Sequence, residues 1–386
     1  MLRRYCDAWF SAAKRRKAGQ VQVRFPRRRR RLMPVRFYHG TFRVEAGRVR
    51  LPTAAGCAPL WPRLDRDIPY PPQSVRSVTL VADGGRLWLE VTAEIPVATY
   101  PEGKAPDPER VAGVDLGIIH PYAVAAADGQ ALLVSGRAIR AEHRWHLADT
   151  KHRSRASAGH APRPGQRGSR RWRKTRRRAR LVEGRHRRRV RQAQHEAAKQ
   201  VVAWAVKHRV ATLTVGEPRG VLNFEAGRRH NLRLRQWQIG RLIAILQDKA
   251  DLAAITVHLV DERGTSSTCP TCRRRITKPR GRLLTCAHCA TSGHRDLVAA
   301  ATIATRTPGS APTTPDSPIA LPRVVTHRRA GRHLPGVASA RRDPRRPSSG
   351  AGVGWPAVAR PTSSVGSRST TPCGEDPQHH HQPGER

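Results

Sequence analysis

Acidic residues are scarce in this chain. Asp and Glu number 28 among 386 residues against 73 Arg and Lys, leaving a formal charge of +45. A protein this cationic repels itself unless a polyanion neutralises it, so the first partner to consider is nucleic acid. Genome composition can account for Arg outnumbering Lys, but not for the shortage of acids. Long apolar runs are missing too. None approaches the roughly 18 to 20 residues that span a bilayer, and Met1 to Asp7 contains no apolar signal core. An anionic membrane surface would call for a basic amphipathic helix with a large aromatic face, and none is present. No internal repeat is visible. Cysteines number seven, and four of them sit in two CxxC pairs while Cys6, Cys57 and Cys373 are scattered. That distribution argues against a disulfide framework and for metal binding in a reducing cytoplasm.

Texture divides what is there. Residues 1–33 carry a helical pattern (Tyr5, Ala8, Trp9, Ala12) and end in the basic run Arg27 to Arg31. Residues 34–108 show short apolar alternations between Gly and Pro, which predict a small barrel-like β-domain closed by a linker at Pro101 to Pro108. Ser77–Val81 and Arg86–Val91, joined through Asp83-Gly84-Gly85, read as a hairpin, and Phe42 to Leu51 as another. Residues 109–264 alternate strands and helices. Strands are expected at Val111–Asp115, Tyr122–Ala127, Ala131–Val134, Val210–Val215 and Ile255–Val260. Helices are expected at Arg170–Lys207 and Arg233–Ala250. A cysteine-bearing loop fills 265–292, and 293–306 holds a short Ala-rich helix from Asp296. Residues 307–386 are Pro, Gly, Ser, Thr and Arg without periodicity and read as a disordered tail, in which His379–His381 is a chance run.

The cysteines give the strongest local signal. Cys269-Pro-Thr-Cys272, thirteen residues, then Cys286-Ala-His-Cys289 offers two knuckles of two thiolates each, the ligand set of a tetrahedral Zn²⁺ site in a zinc ribbon. The stretch Ile276 to Leu284 suits the ribbon's hairpin. Disulfides or idle thiols are the plainer alternatives, and His288 is a spare ligand that a complete four-cysteine set does not need.

Three acids stand at element boundaries. Asp115 ends an apolar strand, Glu217 follows Leu213-Thr-Val-Gly216, and Asp296 precedes Leu297-Val-Ala-Ala. Alone, each has a bland reading: a turn residue, a loop acid and a helix N-cap. Their order is more telling. Strand–Asp, hairpin, helix, strand–Glu, helix, strand, helix–Asp is the arrangement of an α/β, ribonuclease H-like fold, whose sheet brings such acids together. Carboxylates that close repel unless Mg²⁺ sits between them. Between Arg170 and Arg191 the helix carries thirteen Arg or Lys against Glu183 alone. Like charges at i,i+4 destabilise it unless phosphates neutralise them, so Arg170, Arg171, Arg173, Lys174, Arg176, Arg177, Arg178 and Arg180 are the candidate nucleic-acid contacts. The bland alternative is a solvated helix face. Trp172 and Trp204 could stack bases, though Trp204 lies in an apolar run that equally suits a core.

These residues resemble a known family. Gly-Val-Asp115-Leu-Gly, Gly-Glu217, Thr-Ser-Ser-Thr-Cys269-Pro-Thr-Cys272, and Cys286-x-x-Cys289 before His-Arg-Asp296-Leu-Val-Ala-Ala look like the RuvC-like nuclease and inserted zinc ribbon of TnpB (OrfB-type) transposon proteins. The resemblance covers roughly residues 5–305. It implies an RNA-guided, Mg²⁺-dependent DNA endonuclease, conventionally labelled a transposase, with Asp115, Glu217 and Asp296 as catalytic acids and structural zinc on the four cysteines. It further implies a guide RNA from the transposon end, held partly by the wedge-like β-domain, and a double-stranded DNA target. The family's last motif commonly reads Asp-Arg-Asp-x-Asn-Ala, whereas His294 and Val298 stand at its first Asp and its Asn. The family also usually begins with a barrel strand and a helical recognition insert, and the resemblance puts residues 1–33 inside that insert. A catalytically decayed or truncated copy acting as a nucleic-acid-binding regulator is the alternative reading.

Overall fold

In the computed structural model, residues 2–26, 33–218, 227–265, 267–269, 271–272, 274–276, 281–308 and 321–334 are described. The chain runs α1 (Leu2–Lys17), β1 (Val35–Tyr38), β2 (Arg43–Glu45), β3 (Arg48–Arg50), β4 (Val75–Asp83) and β5 (Arg86–Ala93). It continues through β6 (Asp107–Asp115), β7 (Tyr122–Ala126), β8 (Gln130–Ser135), α2 (Arg137–Ala158), α3 (Arg170–Lys207) and β9 (Val210–Glu217). The remainder is α4 (Arg228–Trp237), α5 (Ile239–Asp251), β10 (Thr256–Asp261), β11 (Leu283–Thr285), β12 (Ser292–His294), α6 (Arg295–Ala304) and β13 (Val324–Arg329).

The early strands form two sheets on one core. β4 and β5 pair antiparallel down to Asp83 opposite Arg86, where Gly84 and Gly85 take φ of 58° and 78°, the left-handed backbone of a two-residue hairpin turn. β1 lines the other edge of β4, and β2 pairs with β3. Val49, Leu51, Val75 and Val78 are fully buried between the two sheets. Among the described residues no strand pairing closes these sheets into the expected barrel. The β4–β5 turn lies directly against Gly184 of α3. Arg187 reaches Asp83 at 2.7 Å and Arg188 covers the Trp88 ring at 4.2 Å.

The main sheet has the order β10-β9-β6-β7-β8-β13. β10, β9 and β6 run parallel, β7 alone is reversed, and β13 is parallel to β8. Tyr122, Val124, Leu132, Leu213 and Val215 are buried in the sheet, and the apolar half of α3 packs on them through Ala197, Val201, Val202 and Ala205. Trp204 is 5% exposed in that core, so it is no platform for bases. α6 packs on the opposite face of β6. A Cβ on Gly113 would lie 1.9 Å from the Ala300 carbonyl oxygen, so only glycine lets the helix sit this close to the strand.

The structure corrects three expectations. The helix expected over 233–250 is two helices, α4 and α5, broken at Gln238, whose φ is 52°. That left-handed residue is held by its side chain, whose Oε1 accepts from Gln194 Nε2 at 3.3 Å and Arg241 NH1 at 2.9 Å. β6 begins at Asp107, inside the expected linker, because Asp107 N–H donates to the Arg209 carbonyl at 2.7 Å. Most consequentially, the segment 321–334 does not behave as tail: β13 adds a sixth strand beside β8, from Val324 opposite Gln130 to Arg329 opposite Ser135. Its β-branched core, Val324-Val325-Thr326, is too short to stand out against the surrounding Pro, Arg and Gly. Ala330 and Leu334 then bury themselves. Arg27–Arg31, residues 309–320 and residues 335–386 with His379–His381 lie outside the described residues. Among the described residues no helix is long and apolar enough to cross a membrane.

Candidate functional site

Three parallel strands end at one edge of the sheet, and each end carries a carboxylate. Asp115 is the last residue of β6 and Glu217 the last of β9. The register, Val114 opposite Val215, continued one step, puts Asp115 beside Gly216 and Glu217 one residue beyond. Glu217 in turn lies opposite Asp261 at the end of β10. Asp296 comes from the first turn of α6, where the helix N-terminus favours negative charge. Its charge reaches Asp115, whose pKa is raised well above the ordinary carboxylate value by burial first, then by Asp296 and Glu262.

Glu262, directly after β10, is a carboxylate that sequence reasoning missed. Burial, followed by the neighbouring Asp261 charge, pushes it up to about 7, and its Oε2 is buried without a hydrogen-bond partner. It packs against the backbone of Gly216, where a Cβ would come within 3.0 Å of Glu262 Cβ and 2.7 Å of Ile303 Cδ1. Its only sequence signal is its place at a strand end, one residue after Asp261.

Asp296 is 6% exposed and heavily partnered. His120 Nδ1 lies 2.8 Å from Oδ2, and Arg282 NH1 donates to Oδ1 and Oδ2 at 3.0 and 2.9 Å. Burial works to raise its pKa, but the His120 hydrogen bond and then the Arg282 charge outweigh it, leaving Asp296 at about 2. The guanidinium stands where a cation would neutralise the carboxylate. His294 faces His120 edge-on at 5.3 Å, its Nδ1 buried without a partner. His120, His294 and Asp296 together bring three possible ligand atoms within 4.8 Å of one another. His120 is 176 residues from Asp296, and no spacing rule could have linked them.

The four cysteines converge. Sγ atoms of Cys269 and Cys289 are 3.5 Å apart and those of Cys272 and Cys286 3.6 Å, and all four lie within 4.8 Å. A zinc tetrahedron with Zn–S bonds of about 2.3 Å has edges of about 3.8 Å, so the cluster fits the ion. The Thr291 hydroxyl, hydrogen-bonded to Cys289 Sγ, pulls that thiol down to about 6, toward the thiolate a metal needs. His288 is outside the cluster and meets Arg274 NH1 at 3.2 Å. The strand pairing differs from the expected 276–284 hairpin, whose centre at 277–280 lies outside the described residues. Instead Thr268 bridges Arg275 around the first knuckle, and β11 pairs with β12 around the second. Val298, in the place of the expected Asn, packs with Cys269, Ile276, Leu284 and Cys286. It ties the cysteine lobe to α6, where an amide would be stranded in apolar surroundings.

Arg170, Arg171, Arg173, Lys174, Arg176, Arg177, Arg178 and Arg180 are all exposed on the first turns of α3. Ser169 caps the helix, its Oγ accepting from Trp172 N–H at 3.2 Å. Trp172 is half-buried, with Arg176 stacked over it at 5.7 Å.

Purified protein is expected to contain about one zinc per chain, and Cys286→Ser to lose it. Because Val298 joins the cysteine lobe to α6, hydrogen exchange in that variant should also speed up along α6; zinc-free wild type, or a variant with full zinc, would contradict the assignment. Glu262 gives a pH signature. Its folded pKa of about 7 exceeds its ordinary 4.5, so the cost of ionising it in the fold is absent below pH 4.5, grows as pH rises to 7 and stays above it. Glu262→Gln should therefore raise stability by about 1 kcal/mol at pH 8 in magnesium-free buffer and change little at pH 4. Thermal unfolding at the two pH values measures this, and equal effects at both would refute it.

Two family models match this chain. The one described as "Probable transposase" (OrfB_IS605) covers residues 94–222, and the "Cas12f1-like, TNB domain" covers 240–303. No curated protein matches. Among solved structures, a Cas12f1–sgRNA–target DNA complex aligns at 16% identity over 59% of this chain and 56% of that one, with TM-score 0.40. A CRISPR-Cas12f ternary complex aligns at 17% identity over 61% and 46%, with TM-score 0.43. This chain thus spans about half the length of those proteins. The transposase match spans the strands that carry Asp115 and Glu217, and the second match the cysteine cluster and Asp296, and together the two matches support a TnpB-type (OrfB-type) family for this chain.

Proposed function

We propose that this protein is a transposon-associated, RNA-guided, Mg²⁺-dependent DNA endonuclease built on a ribonuclease H-like, RuvC-like domain. The observation that carries the reading is the shared edge where β6 and β9 end in Asp115 and Glu217 while α6 brings Asp296 close enough to perturb Asp115. The strand order β8-β7-β6-β9-β10 with β7 alone reversed supports it, being the order in which that fold gathers its acids. The domain scheme follows: a β-domain at 34–106 that helps hold guide RNA, a nuclease domain at 107–264 completed by 293–306 and by the added strand β13, and a zinc ribbon at 265–292.

An all-oxygen donor set suits a hard divalent cation, and the partnerless Oε2 of Glu262 beside Asp115 is a buried lone pair that such a charge would satisfy. Asp115, Glu217 and Asp296 would hold Mg²⁺, which when bound supplies an activated water and neutralises charge on the leaving oxygen. The chain's own groups do the rest. His120 orients Asp296 and keeps it ionised. Arg282 must move off the carboxylate it now covers, and is then placed to meet a phosphate. The exposed cations of α3 grip the backbone of RNA or DNA without reading sequence.

A nucleic-acid-binding regulator that does not cut is the second reading, and the Arg282 seat across Asp296 favours it. One experiment separates the two. RNA co-purifying from the native locus is sequenced, and the reconstituted complex is offered a matching DNA duplex with Mg²⁺. Cleavage should be abolished by Asp115→Ala, Glu217→Ala or Asp296→Ala, each leaving binding largely intact. A complex that cuts normally with Ala at one position removes that residue from the site. One that binds its matched target tightly and never cuts supports the regulator.

A further inference from the structure

A cavity of about 200 Å³ opens between α2, α4 and the loop after β6. Its mouth carries Arg140, Arg144, Arg229 and Arg233, and among the described residues no acid lines it. None of the four forms an ion pair among the described residues. Arg140 is pulled below the usual guanidinium value by burial and then by Arg233, Arg144 and Arg282, so the cluster strains against itself in the absence of an anion. The walls are apolar, with Ile118, Ile139, Leu232 and Leu242. The floor is not. His143, Gln194 and Trp237 are among its lining residues, and behind that lining His143 Nε2, Gln194 Oε1 and Trp237 Nε1 are buried without hydrogen-bond partners; His143 is only 8% exposed and Gln194 only 2%. Buried polar atoms are nearly always satisfied, and three orphans around one cavity point to something that satisfies them from inside.

The three atoms comprise a fixed donor (the Trp237 N–H), a fixed acceptor (the Gln194 carbonyl) and an imidazole nitrogen that serves as either. That is a pattern for the edge of a flat heterocycle, enclosed by apolar walls and framed by guanidinium groups at the mouth. The volume is below the roughly 300–1,000 Å³ of drug-sized sites and suits one small ring system. A second opening shares Leu147 and Leu232 with the first and adds Lys151, Arg228 and Arg235, so the cationic lining continues outward past the single phosphate of a free nucleotide.

We propose that this cavity binds one unstacked base of a single-stranded nucleic acid, base inward, with the flanking phosphates on the arginines of α2 and α4. Gly117 lies two residues beyond Asp115, and Arg140 is within electrostatic reach of Arg282, which sits on Asp296. A strand anchored here therefore continues toward the acid edge. That last placement rests on the nuclease reading; the ligand of the cavity does not.

The test is photocrosslinking with full-length protein in magnesium-free buffer, where cutting plays no part. A single-stranded oligonucleotide carrying 5-iodouracil is irradiated with the protein, and adducts are located by peptide mass spectrometry. The proposal expects an adduct at Trp237 or His143, and the double variant Arg140→Gln, Arg233→Gln should reduce its yield about ten-fold, as expected for losing charged phosphate contacts. Adducts confined to exposed rings elsewhere, such as Trp9 or Trp145, would overturn it, as would a yield unchanged in the double variant. If free 5-iodo-dUMP labels the same residues as efficiently as the strand, the site is a mononucleotide pocket and the strand proposal fails. Neither result depends on whether the acids cut.

Discussion

Helix α6 makes three contacts that must hold at once. Its backbone presses on β6 at Gly113, where no side chain fits. Val298 on one face enters the core of the cysteine lobe, and Asp296 in its first turn reaches the acid edge of the sheet. A shift of the helix by the width of a methyl group would disturb all three. The cysteine cluster is thus more than a local staple: whatever fixes those four sulfurs also fixes where Asp296 stands. Replacing the family's common Asn by Val298 strengthens this coupling, since an apolar residue joins the two cores directly.

Electrostatics around the edge run against the rest of the molecule. In a chain of formal charge +45, carboxylates gather at one sheet edge, where burial first and then the charges of Asp296 and Glu262 raise the pKa of Asp115. Arg282 and His120 both bond to Asp296, while at Asp115 the charges of Arg295 and Arg282 offset the rise only in part. The result is an uneven site: Asp296 held at about 2, Glu262 pushed up to about 7. A divalent ion would level it, because it favours the ionised form of every acid it touches.

Much of this was legible in the sequence where one physical rule dominated. The 170–207 helix has no breaker but Gly184, the Gly84-Gly85 turn has one natural geometry, and paired CxxC knuckles leave little choice of chemistry. Expectations failed where tertiary context decided. Gln238 breaks a continuous helical pattern through contacts from Gln194 and Arg241. β13 is a six-residue strand whose partner, β8, lies nearly two hundred residues upstream, so local composition called it tail. His120, Glu262 and Arg282 carry no motif; they matter only because the fold places them beside Asp115 and Asp296.

The central claim is that the acid edge is a divalent-metal site. Titrating zinc-loaded protein with Mn²⁺ while following the free-ion signal by electron paramagnetic resonance tests it without guide, target or turnover. Wild type should take up Mn²⁺ with a saturable stoichiometry that falls in Asp115→Asn and again in Asp296→Asn, with zinc content unchanged. Identical Mn²⁺ uptake by wild type and both variants would contradict the account.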